Sequence, residues 1–226
     1  MYIAIDVIIL AVMAGAIIGA ARRGLILTLF KLLSSITSLI VAVMFYKELG
    51  AFFYDSFVYD STLKYVEKII VDIAEKATEP MSQEYLLSSL PENARAAIEL
   101  FNIDIGKIIE SMAGQPSLIA SSLASEVADI ISGVLAFACL FFGSLIALSV
   151  LGYLLDKLSK LPVINGTNKT LGFVFGVIEA IILGFVLSNL ALSFCSAYGA
   201  FNEEFTFTAV REETYIARLF LSIYTW

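Results

Sequence analysis

The chain has 226 residues, of which 59% are hydrophobic and only 15% charged, and its mean hydropathy is +0.90. A soluble domain carries about 25% charged residues, so this chain lacks the polar surface to cover itself in water. Its net charge of −7 and lack of histidine exclude a basic nucleic-acid face, His-based general-base catalysis and the commonest metal ligand.

In chain order, four segments reach the ~20 apolar residues that a helix needs to cross the hydrocarbon core. They run from about Ile3 to Ala21, Leu25 to Tyr46, Val127 to Leu155 and Leu171 to Ala197. The first carries Asp6 near its outer end and the second Lys31 near its start, both read as unremarkable charges close to the interface. Arg22 and Arg23 follow the first apolar stretch instead of preceding it, so the segment is expected to be a retained span and not a signal peptide. The third segment is longer than one crossing requires and must tilt or extend past the bilayer. Cys139 and Cys195 both lie in apolar stretches and are expected to be small buried hydrophobes.

Orientation follows from lysine and arginine near the span ends. Links 22–24 and 156–170, with Lys31, carry a net +5, against −11 for everything on the other side, Asp6 included, and −1 for Glu179. Both links are therefore expected in the cytoplasm, and both termini outside. The expected organisation is a transmembrane hairpin at 1–47, an extracytoplasmic helical insert at 48–126, a second hairpin at 127–197 and an extracytoplasmic tail at 198–226. The fold class is all-α: a polytopic integral membrane protein with four transmembrane helices and a small helical insert.

The insert opens on Phe52, Phe53, Tyr54, Phe57 and Tyr59, a composition suited to a membrane–water interface. Leu63, Val66, Ile70, Ile73 and Ala77 then recur at helical spacing with charged residues between them, which predicts an amphipathic helix. Ser82–Leu90, Pro91–Phe101 and Asp104–Ala113 predict short helices, with Pro91 and Pro116 as first helical residues and Gly114 at a helix end. The helix opening near Pro116 is placed to run into the third span. The insert reads either as a cap resting on the membrane or as a docking platform; its acidic residues are not at calcium-loop spacing. In the tail, Tyr215, Ile216, Leu219, Phe220 and Ile223 predict an interfacial amphipathic anchor.

Lipid gives helices little hydrophobic reason to associate, so small residues that let backbones approach become informative. Gly172, Gly176, Ala180, Gly184 and Ser188 form one stripe on span four, and Ala11, Gly15 and Gly19 another on span one. These predict close packing of spans one and four, within one chain or between copies, or else a helix-lined pathway. Glu179 is the one ionisable residue well inside a span. A carboxylate there is a candidate functional group for a cation or proton, or a protonated or snorkelling glutamate. No nucleophile–base set, Walker loop or zinc-protease helix is present, so no catalytic residue, metal or cofactor is expected. Asn165 and Asn168 each begin a glycosylation-type triplet, discounted because the topology puts them in the cytoplasm.

The run from Leu161 through Pro162, Gly166, Asn168, Lys169 and Gly172 to Gly176 resembles the signature of the colicin V production protein (CvpA) family. Members of that family carry a Leu-Pro, a Gly-rich link, an Asp/Asn–Arg/Lys pair and two glycines four apart opening the last span. Asp6 in span one and Arg23-Gly24 before span two agree with it. The insert departs from the family's usual short link, and Glu179 stands where a basic residue is common. Asn168 is suited to cap span four and Lys169 to anchor its cytoplasmic end. The resemblance implies a bacterial cytoplasmic membrane protein supporting toxin production or export and envelope homeostasis. The expected mode is non-enzymatic: an accessory factor or scaffold bound to lipid and to other membrane or envelope proteins, in one or several copies, with no nucleic acid. The alternative is an oligomeric transporter or channel subunit that uses Glu179.

Overall fold

The fold, seen in a computed structural model that describes residues 2–23, 25–77, 82–112, 115–159, 167–199 and 214–221, is all-helical, with no strand among the described residues. Its helices are α1 (Tyr2–Arg23), α2 (Leu25–Phe53), α3 (Tyr59–Lys76), α4 (Gln83–Ser89), α5 (Glu92–Leu100), α6 (Ile105–Ser111), α7 (Pro116–Ser159), α8 (Thr167–Gly199) and α9 (Ile216–Leu221). Four helices are long and apolar enough to cross a membrane. Between 11% and 39% of their apolar windows is buried within the protein, so lipid must cover most of that surface. Gly24, Leu161, Pro162 and Gly166, the expected helix end at Gly114 and the tail at 200–213 lie outside the described residues.

The aromatic cluster does not interrupt the helix. A five-residue π-helical turn, Tyr54–Val58, joins α2 to α3 without interruption. A π turn brings residues five apart onto one face. Tyr54 accordingly stacks on Tyr59, with ring centroids 5.2 Å apart, and its hydroxyl meets the Ser125 hydroxyl at 2.9 Å. The aromatic residues thus support a continuous helix instead of marking its end. At the other boundary, α7 is one helix of 44 residues opening on Pro116, as the sequence suggested.

The residues fall into two compact units. One comprises Met1–Tyr46, Phe137–Ala191 and Val210–Trp226; the other comprises Lys47–Ala136 and Leu192–Ala209.

The second unit is built as a water-facing domain is, apolar inside and charged outside. Val66, Ile70 and Ile73 of α3 are buried with Leu86, Leu90, Ile98, Ile105, Ile119 and Leu123. Local chemistry sets the ends of its short helices. Ser82 caps α4 by accepting from the Tyr85 N–H at 3.2 Å, and Asp104 caps α6 by accepting from the Lys107 N–H at 3.1 Å. Pro91 stands one residue ahead of α5, in the cap position. Asn102 takes φ 54° after α5, and the Ile103 N–H bonds back to the Ile98 carbonyl at 3.0 Å. That is a Schellman closure, which asparagine tolerates better than most residues. It places Ile103 beside Ile98 in the apolar cluster.

Lys107 holds the Asp104 carboxyl below its ordinary value, first through its side chain and then through its backbone N–H. A carboxyl depressed in the folded state stabilises the fold above its unfolded pKa and loses that contribution as pH falls through the folded one. Amide protection in the first turn of α6, corrected for intrinsic exchange, is therefore expected to stay level from neutral pH to about pH 5 and to fall below about pH 4. In Asp104→Asn that acid step should vanish; a step unchanged in the variant would assign it to another group.

The first unit inverts the pattern. Ile3, Val7, Ile8, Leu33, Met44, Ile146 and Val150 are exposed, whereas Thr28, Ser34, Ser35, Ser38, Glu179 and Ser188 are buried. Within α2 the hydroxyls of Ser34 and Ser35 donate to the carbonyls of Phe30 at 2.8 Å and Lys31 at 3.1 Å, which satisfies them inside the helix. Thr28 Oγ1 donates to the Ala20 carbonyl at 3.3 Å and ties the start of α2 to the end of α1.

Candidate functional site

The small-residue stripe on α8 meets different surroundings along its length. Gly172, Gly176 and Gly184 are buried, and Ala180 is buried with them. A Cβ at Gly176 would collide with the Cβ of Ala20 and come within 3.5 Å of Ile17 Cα, so α1 and α8 are in backbone-close contact there. A Cβ at Gly184 would meet Met13 Sδ and the Phe220 ring, each at 2.8 Å. On α1, Gly19 is half-buried, while a Cβ at Gly15 would meet nothing within 4 Å. Gly15 is therefore no packing contact; it borders open space.

That space is a cavity of about 200 Å³ to which every spanning helix contributes. Val12, Gly15 and Ala16 come from α1, Lys31 from α2, Leu145 and Ser149 from α7, and Glu179 and Leu183 from α8. On α1, α7 and α8 the pairs Val12/Ala16, Leu145/Ser149 and Glu179/Leu183 are each four residues apart, so each helix presents a single face. The cavity thus combines an acid, a base and a serine on three different helices with an aliphatic wall. Glu179 is 4% exposed and Lys31 half-buried. The Ser149 hydroxyl donates to the Leu145 carbonyl at 2.7 Å, which leaves its oxygen as an acceptor. An intramembrane carboxylate costs some ~2.5–3.5 kcal/mol on insertion scales, so the residue type at 179 is not explained by packing alone. Among the described residues no His, Cys, Asp and Glu gather at a metal site.

Of the residues singled out from sequence, Glu179 and Gly15 meet at this cavity, and Gly172, Gly176, Ala180 and Gly184 do not line it. Arg23 ends α1. The helix α8 opens at Thr167, which puts Asn168 and Lys169 inside its first turn; Asn168 does not stand ahead of the helix as a cap. Lys31, read from sequence as interfacial, lines the cavity. The available signal was the polar stripe of Thr28, Lys31, Ser35 and Ser38 on one face of α2, since polar residues in a span turn to the bundle interior.

Asp6 is the second residue misjudged from sequence. It is 6% exposed, and its carboxylate accepts from the backbone N–H groups of Tyr215, Ile216 and Ala217 at 2.6, 3.0 and 3.1 Å. It thereby caps α9 from more than two hundred residues away. The predicted apolar face of the tail is also corrected. Ala217 and Phe220 are buried, whereas Tyr215 and Leu219 point outward. The described helix is docked on the bundle by its cap and by Phe220 against Gly184, which an interfacial anchor would not require.

These features define a class: a multi-pass helical membrane protein whose spans border a small, partly open cavity that Lys31, Ser149 and Glu179 help to line. The family model for colicin V production protein matches residues 5–73 and 110–212, and the chain belongs to that family. The unmatched stretch, 74–109, holds α4 and α5 and is shorter than the insert expected from sequence at 48–126. No curated protein and no solved structure matches the chain.

Proposed function

We propose that this chain is a non-enzymatic protein of the bacterial cytoplasmic membrane that supports toxin production or export and envelope homeostasis by binding other membrane components. Family membership over 5–73 and 110–212 carries that reading. In the topology that goes with it, links 22–24 and 156–170 face the cytoplasm and the segment 48–126 is outside, following the charge bias of the links. The unmatched helices α4 and α5 then supply what distinguishes this member, a surface for an extracytoplasmic partner. The test is a toxin-producing host lacking the chain, complemented with the wild type or with 74–109 replaced by a short linker. Secreted toxin should fall without the chain while cell-associated toxin persists, and the linker form should restore it only in part. Unchanged secretion and an unchanged envelope in the deletion strain would reject the proposal.

A second reading, an oligomeric transporter or channel subunit, is favoured by the cavity at Glu179. It predicts ion or proton flux in proteoliposomes that drops about tenfold or more in Glu179→Gln at matched insertion. Absence of flux from the folded wild type would dismiss this reading and leave the first untouched.

A further inference from the structure

The second unit keeps its charged side chains on the outside, yet one groove in its surface has none. It lies between α3, α5 and α7, is partly open, and every residue lining it is aliphatic or aromatic. Val66, Ile70 and Ile98 are buried in it, while Ile69, Ala94 and Phe101 stay half-buried. Apart from the Tyr65 hydroxyl, the lining offers no polar side-chain atom. A polar solute would lose its water there and gain almost nothing in return. Open apolar surface of this kind marks a place that hydrocarbon covers.

The helix α7 says which hydrocarbon. Leu123, Val127, Ile130 and Ile131 line the groove at positions i, i+4, i+7 and i+8, which is one stripe of the helix. Leu123 belongs to the core of the unit, whereas Ile130 opens a charge-free stretch that runs to Leu155. Those 26 residues rise about 39 Å at ~1.5 Å each, against ~30 Å for the hydrocarbon of a bilayer. Ile130 and Ile131 therefore stand at the edge of the hydrocarbon when α7 spans it. Glu126 and Asp129, both exposed, belong to the watered side of that edge. The stripe thus leads from the groove into lipid with no polar residue in its way. A chain that follows it exchanges one hydrocarbon surrounding for another and takes groove surface out of water.

We infer that the groove between α3, α5 and α7 holds an acyl chain of a bilayer phospholipid and so seats the second unit on the membrane surface. Its α5 wall lies in the stretch 74–109 that the family model does not match, which makes this wall a feature of the present chain. The inference deepens the proposed binding of membrane components by naming one of them. It rests on α7 as a span and not on the role in export, so the two can fail separately.

The experiment is photolabelling of the full-length chain in nanodiscs of phosphatidylethanolamine and phosphatidylglycerol, doped with a phosphatidylcholine that carries a diazirine near the end of one acyl chain. No toxin or partner is present, and adducts are mapped by mass spectrometry. Adducts are expected on α5 and Phe101 in excess of those on α6, which is in the same unit but does not line the groove. Ala94→Phe fills the groove and should lower labelling of α5 about tenfold, the loss expected when about two methylene contacts are removed. Labelling within the spans should stay as in the wild type. Ile130→Asn puts a polar group where the groove meets the hydrocarbon and should act in the same direction; it decides the matter if Ala94→Phe does not fold. An α5 free of adducts in the folded wild type would overturn the proposal and leave the groove to an apolar protein segment. Adducts on α5 no more frequent than on α6, or unchanged in a folded groove variant, would overturn it as well.

Discussion

Asp6→Ala is expected to release the C-terminal helix while the four spans remain folded. The Asp6 carboxylate accepts from three successive N–H groups at 2.6–3.1 Å, which are the orphan donors at the start of α9. Hydrogen bonds to a charged group contribute about 1.5–3 kcal/mol each, and water replaces part of that once the helix opens, so a net loss of about 2–4 kcal/mol is expected. A helix as short as Ile216–Leu221 has no stability of its own, because nucleation dominates below ~12 residues. Without the cap, burial of side chains such as Ala217 and Phe220 is left to hold it. Hydrogen exchange at 215–217 should accelerate about thirty- to a thousandfold, with protection in the middles of α1 and α8 preserved. Asp6→Asn, which keeps an acceptor but not the charge, should fall between. If protection at 215–217 is unchanged in Asp6→Ala, the cap is not what holds the helix. If protection in the spans falls equally, Asp6 supports the whole bundle.

The glycines supply the other large effect, and they should not behave alike. Gly176→Ala is expected to destabilise the first unit by about 1–3 kcal/mol, the usual range for overpacking, and Gly176→Leu by more. The atom it meets is the Ala20 Cβ, which cannot move without its backbone. In lipid, helix association rests on close van der Waals contact rather than on the hydrophobic effect, so pushing α1 from α8 forfeits contacts along both helices. Gly15→Ala and Gly143→Ala are the controls, since a Cβ at either meets nothing within 4 Å and stability should stay within about 0.5 kcal/mol. Gly184→Ala should be intermediate, because Met13 Sδ lies at the end of a flexible side chain while Phe220 must give way. Reversible unfolding in mixed micelles would rank the series. A loss for Gly15→Ala as large as for Gly176→Ala would show that helix propensity, not close approach, sets these values.

The two effects meet at Phe220. The ring seated over Gly184 belongs to the helix that Asp6 caps, so Asp6→Ala and Gly184→Ala disturb one docking contact from its two ends. Their combined effect on exchange at 215–217 should be less than additive, as for mutations sharing a partner.

Much of the architecture was legible because its cause is local. Runs of twenty apolar residues, Ser82 and Asp104 ahead of helical segments, and Pro116 at a helix start act over one or two turns, and the helices begin at or next to those residues. The continuity of α2 and α3 was not legible. Aromatic residues suit an interface and also a π turn, and only Tyr54 stacked on Tyr59 and bonded to Ser125 decides between them.

By itself, the sequence determined that the chain is helical, that four of its helices are long and apolar enough to cross a membrane and which family it belongs to. Those properties follow from composition and from patterns within one helix or link. The tertiary structure alone decided that Lys31 shares a chamber with Glu179, that Gly15 borders it while Gly176 seals α1 to α8, and that Asp6 caps α9. The physical reason is that, in a span, outward and inward faces can both be apolar. Periodicity then cannot say which side a small or charged residue faces, and that is settled only when the helices pack.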